Sequence, residues 1–81
     1  MQPHTLLPLQ LVQNGGWAEV EDIIGQPTWV SRMAELGVRV GSHLQVLRQG
    51  RPCLLRVGSC RLSLREESGT HILVRPLPAA S

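Results

Sequence analysis

The residues of this chain able to do chemistry are few: six carboxylates, three histidines and two cysteines among 81 residues. General acid–base work needs two titratable groups on opposite sides of a substrate. The carboxylates fall as Glu19, Glu21 and Asp22, a lone Glu35, and the neighbours Glu66 and Glu67. Glu19 and Glu21 share one face of a strand and have no second pole, so they read as solvated charges. His4, His43 and His71 have no chelate spacing. They read as surface histidines and are only weak metal candidates. Cys53 or Cys60 with a histidine would make a nucleophile pair, but the strand pattern turns both thiols to the core. There is no Lys, which removes Schiff-base chemistry and the P-loop. There is also no Phe or Tyr, so the aromatic platforms that stack bases or hold proline helices are missing. Trp17 and Trp29 remain. Trp17 starts a strand and Trp29 opens a helix off its apolar stripe, and both are expected to pack at a rim rather than to anchor a partner.

The elements that must position these residues are short. A chain of 81 residues, 42% hydrophobic and 17% charged, suits one small globular domain. After the turn Asn14-Gly15-Gly16, residues 17–21 alternate apolar with charged, placing Ala18 and Val20 on one face of a strand that Ile23 and Ile24 extend to Gly25. Pro27-Thr28 starts a helix, with Thr as cap or Pro at the first helical position. Val30, Met33, Ala34 and Gly37 follow at helical spacing, Leu36 widens the stripe, and Gly37 supplies a left-handed end. Three further strand segments lie at 43–48, 52–57 and 60–65. A last one at 71–75 follows the turn Glu66-Glu67-Ser68-Gly69. The expected fold is mainly β: a small, closed or nearly closed five-stranded barrel with one short helix between its first and second strands.

The clearest local feature is the hairpin around Gly58-Ser59, a two-residue turn with Gly first. Pairing Val57 with Cys60 sets Arg56 opposite Arg61, Leu55 opposite Leu62 and Cys53 opposite Leu64. One face is then Cys53, Leu55, Val57, Cys60, Leu62 and Leu64; the other is Leu54, Arg56, Arg61, Ser63 and Arg65. A slip of one residue mixes the faces, so the pattern selects its own register. The two cysteines end up about 13 Å apart along the hairpin, beyond the roughly 7 Å a disulfide tolerates. They read as two small buried hydrophobes. Arg56 against Arg61 disfavours pairing mildly, and Arg48, Arg51 and Arg65 fall nearby. Two readings of this basic face stand: a solvated surface relieved by Glu66 and Glu67, or a docking surface for an acidic partner.

Charge is divided along the chain. Residues 1–41 carry two arginines against four carboxylates, net −2, and residues 42–81 carry six against two, net +4. Such polarity steers partners rather than fixing a fold. Polar residues and prolines interrupt the first eighteen residues, so neither a signal peptide nor a spanning segment is expected there. A cytoplasmic chain with reduced thiols is expected.

Arg32-Met33-Ala34-Glu35-Leu36-Gly37-Val38-Arg39-Val40-Gly41-Ser42 resembles the R-x-x-x-L-G-[LVM]-x-x-G segment of FeoA-like domains. The resemblance continues through Leu44 to Arg48, through Gly58 to Arg65 with its G-x-x-[LIV]-x-L-R pattern, and into Ile72-Leu73-Val74. Upstream, Leu6, Leu9, Gly16, Ala18, Val20, Ile23 and Gly25 match the opening pattern. The single pieces are weak, but together and in order they cover about residues 6–76. The resemblance implies an SH3-like barrel with a helical insertion after the first strand. It implies a domain at 6–76, between a flexible N-terminus at 1–5 and a tail at 77–81. It also implies an accessory role in bacterial ferrous iron uptake, acting on the large membrane GTPase transporter FeoB, and it carries over no catalytic residue. Related domains form the C-terminal module of metal-dependent repressors; the missing winged helix favours the stand-alone type.

The expected function is therefore a non-enzymatic cytoplasmic adaptor that binds and regulates an FeoB-like transporter. The candidate partner-binding residues are Arg32 and Leu36 on the edge of the helix, with Arg51, Arg56, Arg61 and Arg65. No cofactor is expected, and a divalent metal only as an adventitious ion. No small-molecule substrate or membrane insertion is expected, and at most a weak homo-oligomer. The alternatives are a metal-responsive regulator module, which requires metal to change assembly or affinity, and a small nucleic-acid-binding barrel, which requires binding that collapses with salt.

Overall fold

The computed structural model of the chain describes residues 6–65 and 67–78. Its strands are β1 (Leu7–Pro8), β2 (Trp17–Ile24), β3 (His43–Arg48), β4 (Cys53–Val57), β5 (Cys60–Leu64) and β6 (His71–Pro76). A helix α1 (Pro27–Glu35) joins β2 to β3, and a single 3-10 turn (Leu9–Leu11) follows β1. All pairings are antiparallel, in the order β1-β6-β2-β3-β4-β5. The five expected strands are present. The two-residue β1 is an addition that a sequence rich in Pro and Leu did not announce. No helix among the described residues is long and apolar enough to cross a membrane.

Period-two patterning builds the core. Ala18 and Val20, Leu44 and Val46, Cys53 and Leu55, and Ile72 and Val74 all point inward and are buried. Burying one such Val or Leu contributes about 1.5–3 kcal/mol, and eight large side chains are completely enclosed. Two bulges keep this pattern in step. In β2 the register shifts between Val20 and Asp22, so Glu21 and Asp22 both face out and Ile23 returns inward opposite Ile72. In β3 the shift lies between Val46 and Arg48, which leaves Leu47 as the extra residue.

The helix begins with Pro27 at its first position and Gln26 as a cap without a side-chain bond. It ends in a Schellman arrangement. The Val38 amide donates to the Met33 carbonyl at 2.8 Å and the Gly37 amide to Ala34 at 3.0 Å, with Gly37 at φ +94°. The Ser42 hydroxyl then ties the following loop, donating to the Gly37 carbonyl at 2.7 Å and accepting from the Arg39 amide. This is the physical content of the L-G-x-x-x-G-S segment: it stops the helix, drops Val38 into the core and turns the chain into β3.

Trp29 departs from expectation. It is 7% exposed and belongs to the core with Met33, whereas helical spacing placed it off the apolar stripe at a rim. The cause is Gly25: a Cβ there would meet the indole at 2.8 Å, so the missing side chain is the space the ring occupies. Trp17, at 38% exposure, does sit at a rim.

Candidate docking face on the arginine hairpin

The β4–β5 hairpin adopts the register its sequence selects. Val57 pairs with Cys60, Arg56 with Arg61, Leu55 with Leu62, Leu54 with Ser63 and Cys53 with Leu64, across a turn where Gly58 has φ +61°. Its two faces are distinct over most of its length. Leu55, Cys53 and Leu64 are buried, and Leu62 is half-buried against the core. On the other face Leu54, Arg61 and Ser63 are exposed and Arg56 is half-buried.

The separation fails at the tip, where Cys60 is exposed although its parity places it inward. The reason is that the hairpin outruns the core it covers. Leu44 already pairs with Val57, so the turn beyond has no strand beneath it. Cys53, at the opposite end of the hairpin, is buried as expected.

Sheet pairing extends the arginine row. Trp17 pairs with Gln45 and Gln45 with Arg56, so Trp17, Gln45, Arg56 and Arg61 form one line across β2, β3, β4 and β5. A second line is Arg48, Leu54 and Ser63. Arg65 lies exposed just beyond β5. Arg51 is exposed before β4, at the mouth of a cavity of about 100 Å³ also lined by Leu9, Gln49, Cys53 and Leu64. Gln49 holds this corner together: its side-chain amide donates to the Leu9 and Val12 carbonyls, and its backbone amide donates to Asn14 Oδ1 at 2.8 Å.

The other two candidates lie on the helix. Arg32 lines a cleft of about 330 Å³ with Thr28, Trp29, Glu67 and Gly69, away from the arginine row. Leu36 is 48% exposed beside Gly37, which abuts the Val57 side chain, so it flanks the hairpin tip.

Across the sheet the charges are matched. Arg75 Nη2 donates to Glu19 Oε1 at 2.7 Å, Arg75 Nε reaches Glu21 Oε2 at 3.5 Å, and His43 Nε2 lies 3.3 Å from Glu19. Glu19 and Glu21 therefore have partners, contrary to their reading as solvated charges, because β6 pairs with β2 and sets Arg75 opposite Glu19. These three contacts are the only ion pairs among the described residues, so no described carboxylate answers Arg56, Arg61 or Arg65.

His43 is thus drawn to Glu19, and His71 is exposed opposite Ile24, on a different row. His4 and Glu66 lie outside the described residues. Among the described residues no group of three His, Cys, Asp or Glu side chains is placed to hold a metal.

The model of the FeoA domain family matches residues 7–76. The chain is similar to a crystal structure described as an iron uptake regulatory protein (FeoA), with 25% identity, a TM-score of 0.79, and 90% of this chain and 99% of that one covered. It is also similar to the solution NMR structure of the FeoA protein from Chlorobium tepidum, with 27% identity, a TM-score of 0.80, and 93% and 74% covered. No curated protein matches it significantly.

Proposed function

The chain belongs to the FeoA domain family, and from that premise we propose that it is a non-enzymatic accessory of ferrous iron uptake. It works in the cytoplasm by docking its arginine hairpin onto an acidic surface of an FeoB-type membrane GTPase transporter. The observation that carries this reading is the pair Arg56–Arg61, two arginines set directly opposite one another across strands with no described carboxylate ion-paired to either. Like charges placed opposite one another oppose strand pairing. An acidic partner relieves the repulsion on contact and is steered to the face before contact.

The test is a pull-down, or titration, of the transporter's cytoplasmic domain with the wild-type chain and with Arg56→Glu/Arg61→Glu. Capture by the wild type and loss in the double variant is the expected result. Undiminished capture by the variant overturns the choice of face, and no capture by the wild type overturns the adaptor role. The same titration with single-stranded RNA at low salt decides the nucleic-acid alternative, which requires tight, steeply salt-dependent binding.

A further inference from the structure

We infer that β5 is an acceptor strand: it binds an extended peptide segment in which acidic and apolar residues alternate, by adding that segment to the open edge of the sheet. This rests on the reading of the arginine face as a docking surface and says how the partner's chain lies on it.

The edge is open. β5 is the last strand of the sheet, paired with β4 on one side only, and no backbone bond outside that ladder involves residues 60–64 among the described residues. The turn fixes which groups face outward. In a two-residue hairpin the pair flanking the turn exchanges hydrogen bonds, here Val57 and Cys60, and bonded pairs then alternate. Leu62 and Leu64 therefore direct their amides and carbonyls to β4. Arg61 and Ser63 direct theirs to the open edge. An added strand thus meets two donors and two acceptors, and its residues opposite Arg61 and Ser63 project onto the arginine face.

Side chains then specify the segment. Residues opposite Arg61 and Ser63 share a face with Arg56, Arg61 and Arg65, so carboxylates fit there. The residue between them projects to the other face, against Leu62. Leu62 is only half-buried while its partner Leu55 is completely buried, which is what the absence of a further strand leaves behind. An apolar side chain covers it. At the far end, the cavity beside Leu64, Cys53 and Leu9 lies on the same apolar side. A second copy of this chain is a poor occupant. Two β5 edges placed together bring two Arg56–Arg61 pairs, and no described carboxylate, onto one face.

The probe is a capped heptapeptide, Thr-Val-Glu-Val-Glu-Val-Thr, titrated into the whole ¹⁵N-labelled chain at low salt. The controls are the same composition with its glutamates adjacent at one end, and the original sequence N-methylated at both glutamates. Expected are hydrogen exchange slowed at least ~10-fold at the Arg61 and Ser63 amides but not at Leu62, and affinity at least ~10-fold weaker for both controls. Ser63→Pro gives a protein-side arm, because it removes an outward amide that β4 does not use. It is expected to fold and to lose the peptide. Should Ser63→Pro not fold, the N-methyl comparison decides by itself, since it leaves the protein untouched. Equal binding of the controls, or protection confined to other amides, overturns strand addition while leaving the arginine face intact as a docking surface. If no peptide binds, the acceptor strand falls, whereas the arginine face stands or falls on the Arg56→Glu/Arg61→Glu comparison and the adaptor role on capture of the transporter domain by the wild type.

Discussion

The two sides of the sheet use arginine in opposite ways. On the β2–β6 side, Arg75 lies between Glu19 and Glu21, and His43 completes the cluster. On the β4–β5 side, Arg56 faces Arg61 across the hairpin and no described carboxylate joins them. The first arrangement holds strands distant in sequence together; the second adds nothing to stability and leaves charge available. The same side chain is thus tied into the fold where the topology supplies an acid and left without a described acid where it does not. The packing beneath follows the same division. The helix is seated at the β2–β6 end by Trp29 over Gly25, whereas the hairpin tip projects past the core and exposes Cys60.

The strongest way to break the closed side is Gly25→Ala. Its methyl group would enter the Trp29 ring position, and overpacking of this kind costs about 1–3 kcal/mol, read as a lower urea midpoint with loss of tryptophan burial. On the open side, Arg56→Glu/Arg61→Glu is expected to weaken transporter-domain binding by at least ~10-fold and to leave the urea midpoint nearly unchanged. A variant that unfolds at much lower urea would place these arginines on the structural side of the comparison.

Arg75→Ala sharpens the contrast from the other direction. It leaves Glu21 without its ion-pair partner and Glu19 with His43 alone, and is expected to cost about 0.5–1 kcal/mol, an effect that shrinks between about 0.1 and about 1 M salt. The smallest effect is expected from Arg61→Glu alone. It sets a carboxylate opposite Arg56 and stabilises the hairpin by roughly 0.2–1 kcal/mol while weakening docking. Thermal melts and binding isotherms on one preparation show whether stability and affinity move in opposite senses.

Much of the fold was legible because it is local. The hairpin register follows from a two-residue turn and from Leu55, Leu62 and Leu64 needing one face. The helix stop follows from Gly37, which the structure places at φ +94°. The outward histidines His43 and His71 follow from strand parity. What was not legible depends on partners far away in the chain. Trp29 looked like a rim residue because helical spacing cannot see that Gly25 leaves room for its ring. Cys60 looked buried because parity gives a direction but not the extent of the core. Glu19 and Glu21 looked solvated because their partner, Arg75, is more than fifty residues away and is brought by the β2–β6 ladder.

The sequence by itself determined which residues turn inward, where the elements stop, how the hairpin pairs and which family pattern the chain follows. Each of these is set by backbone geometry or by side chains within a few positions. Only the tertiary structure decided which charges are spent within the fold, where the core ends and which strand edge stays open. Those depend on strand order, which brings Arg75 to Glu19 and leaves Arg56, Arg61 and the outer edge of β5 without an ion-pair or strand partner among the described residues.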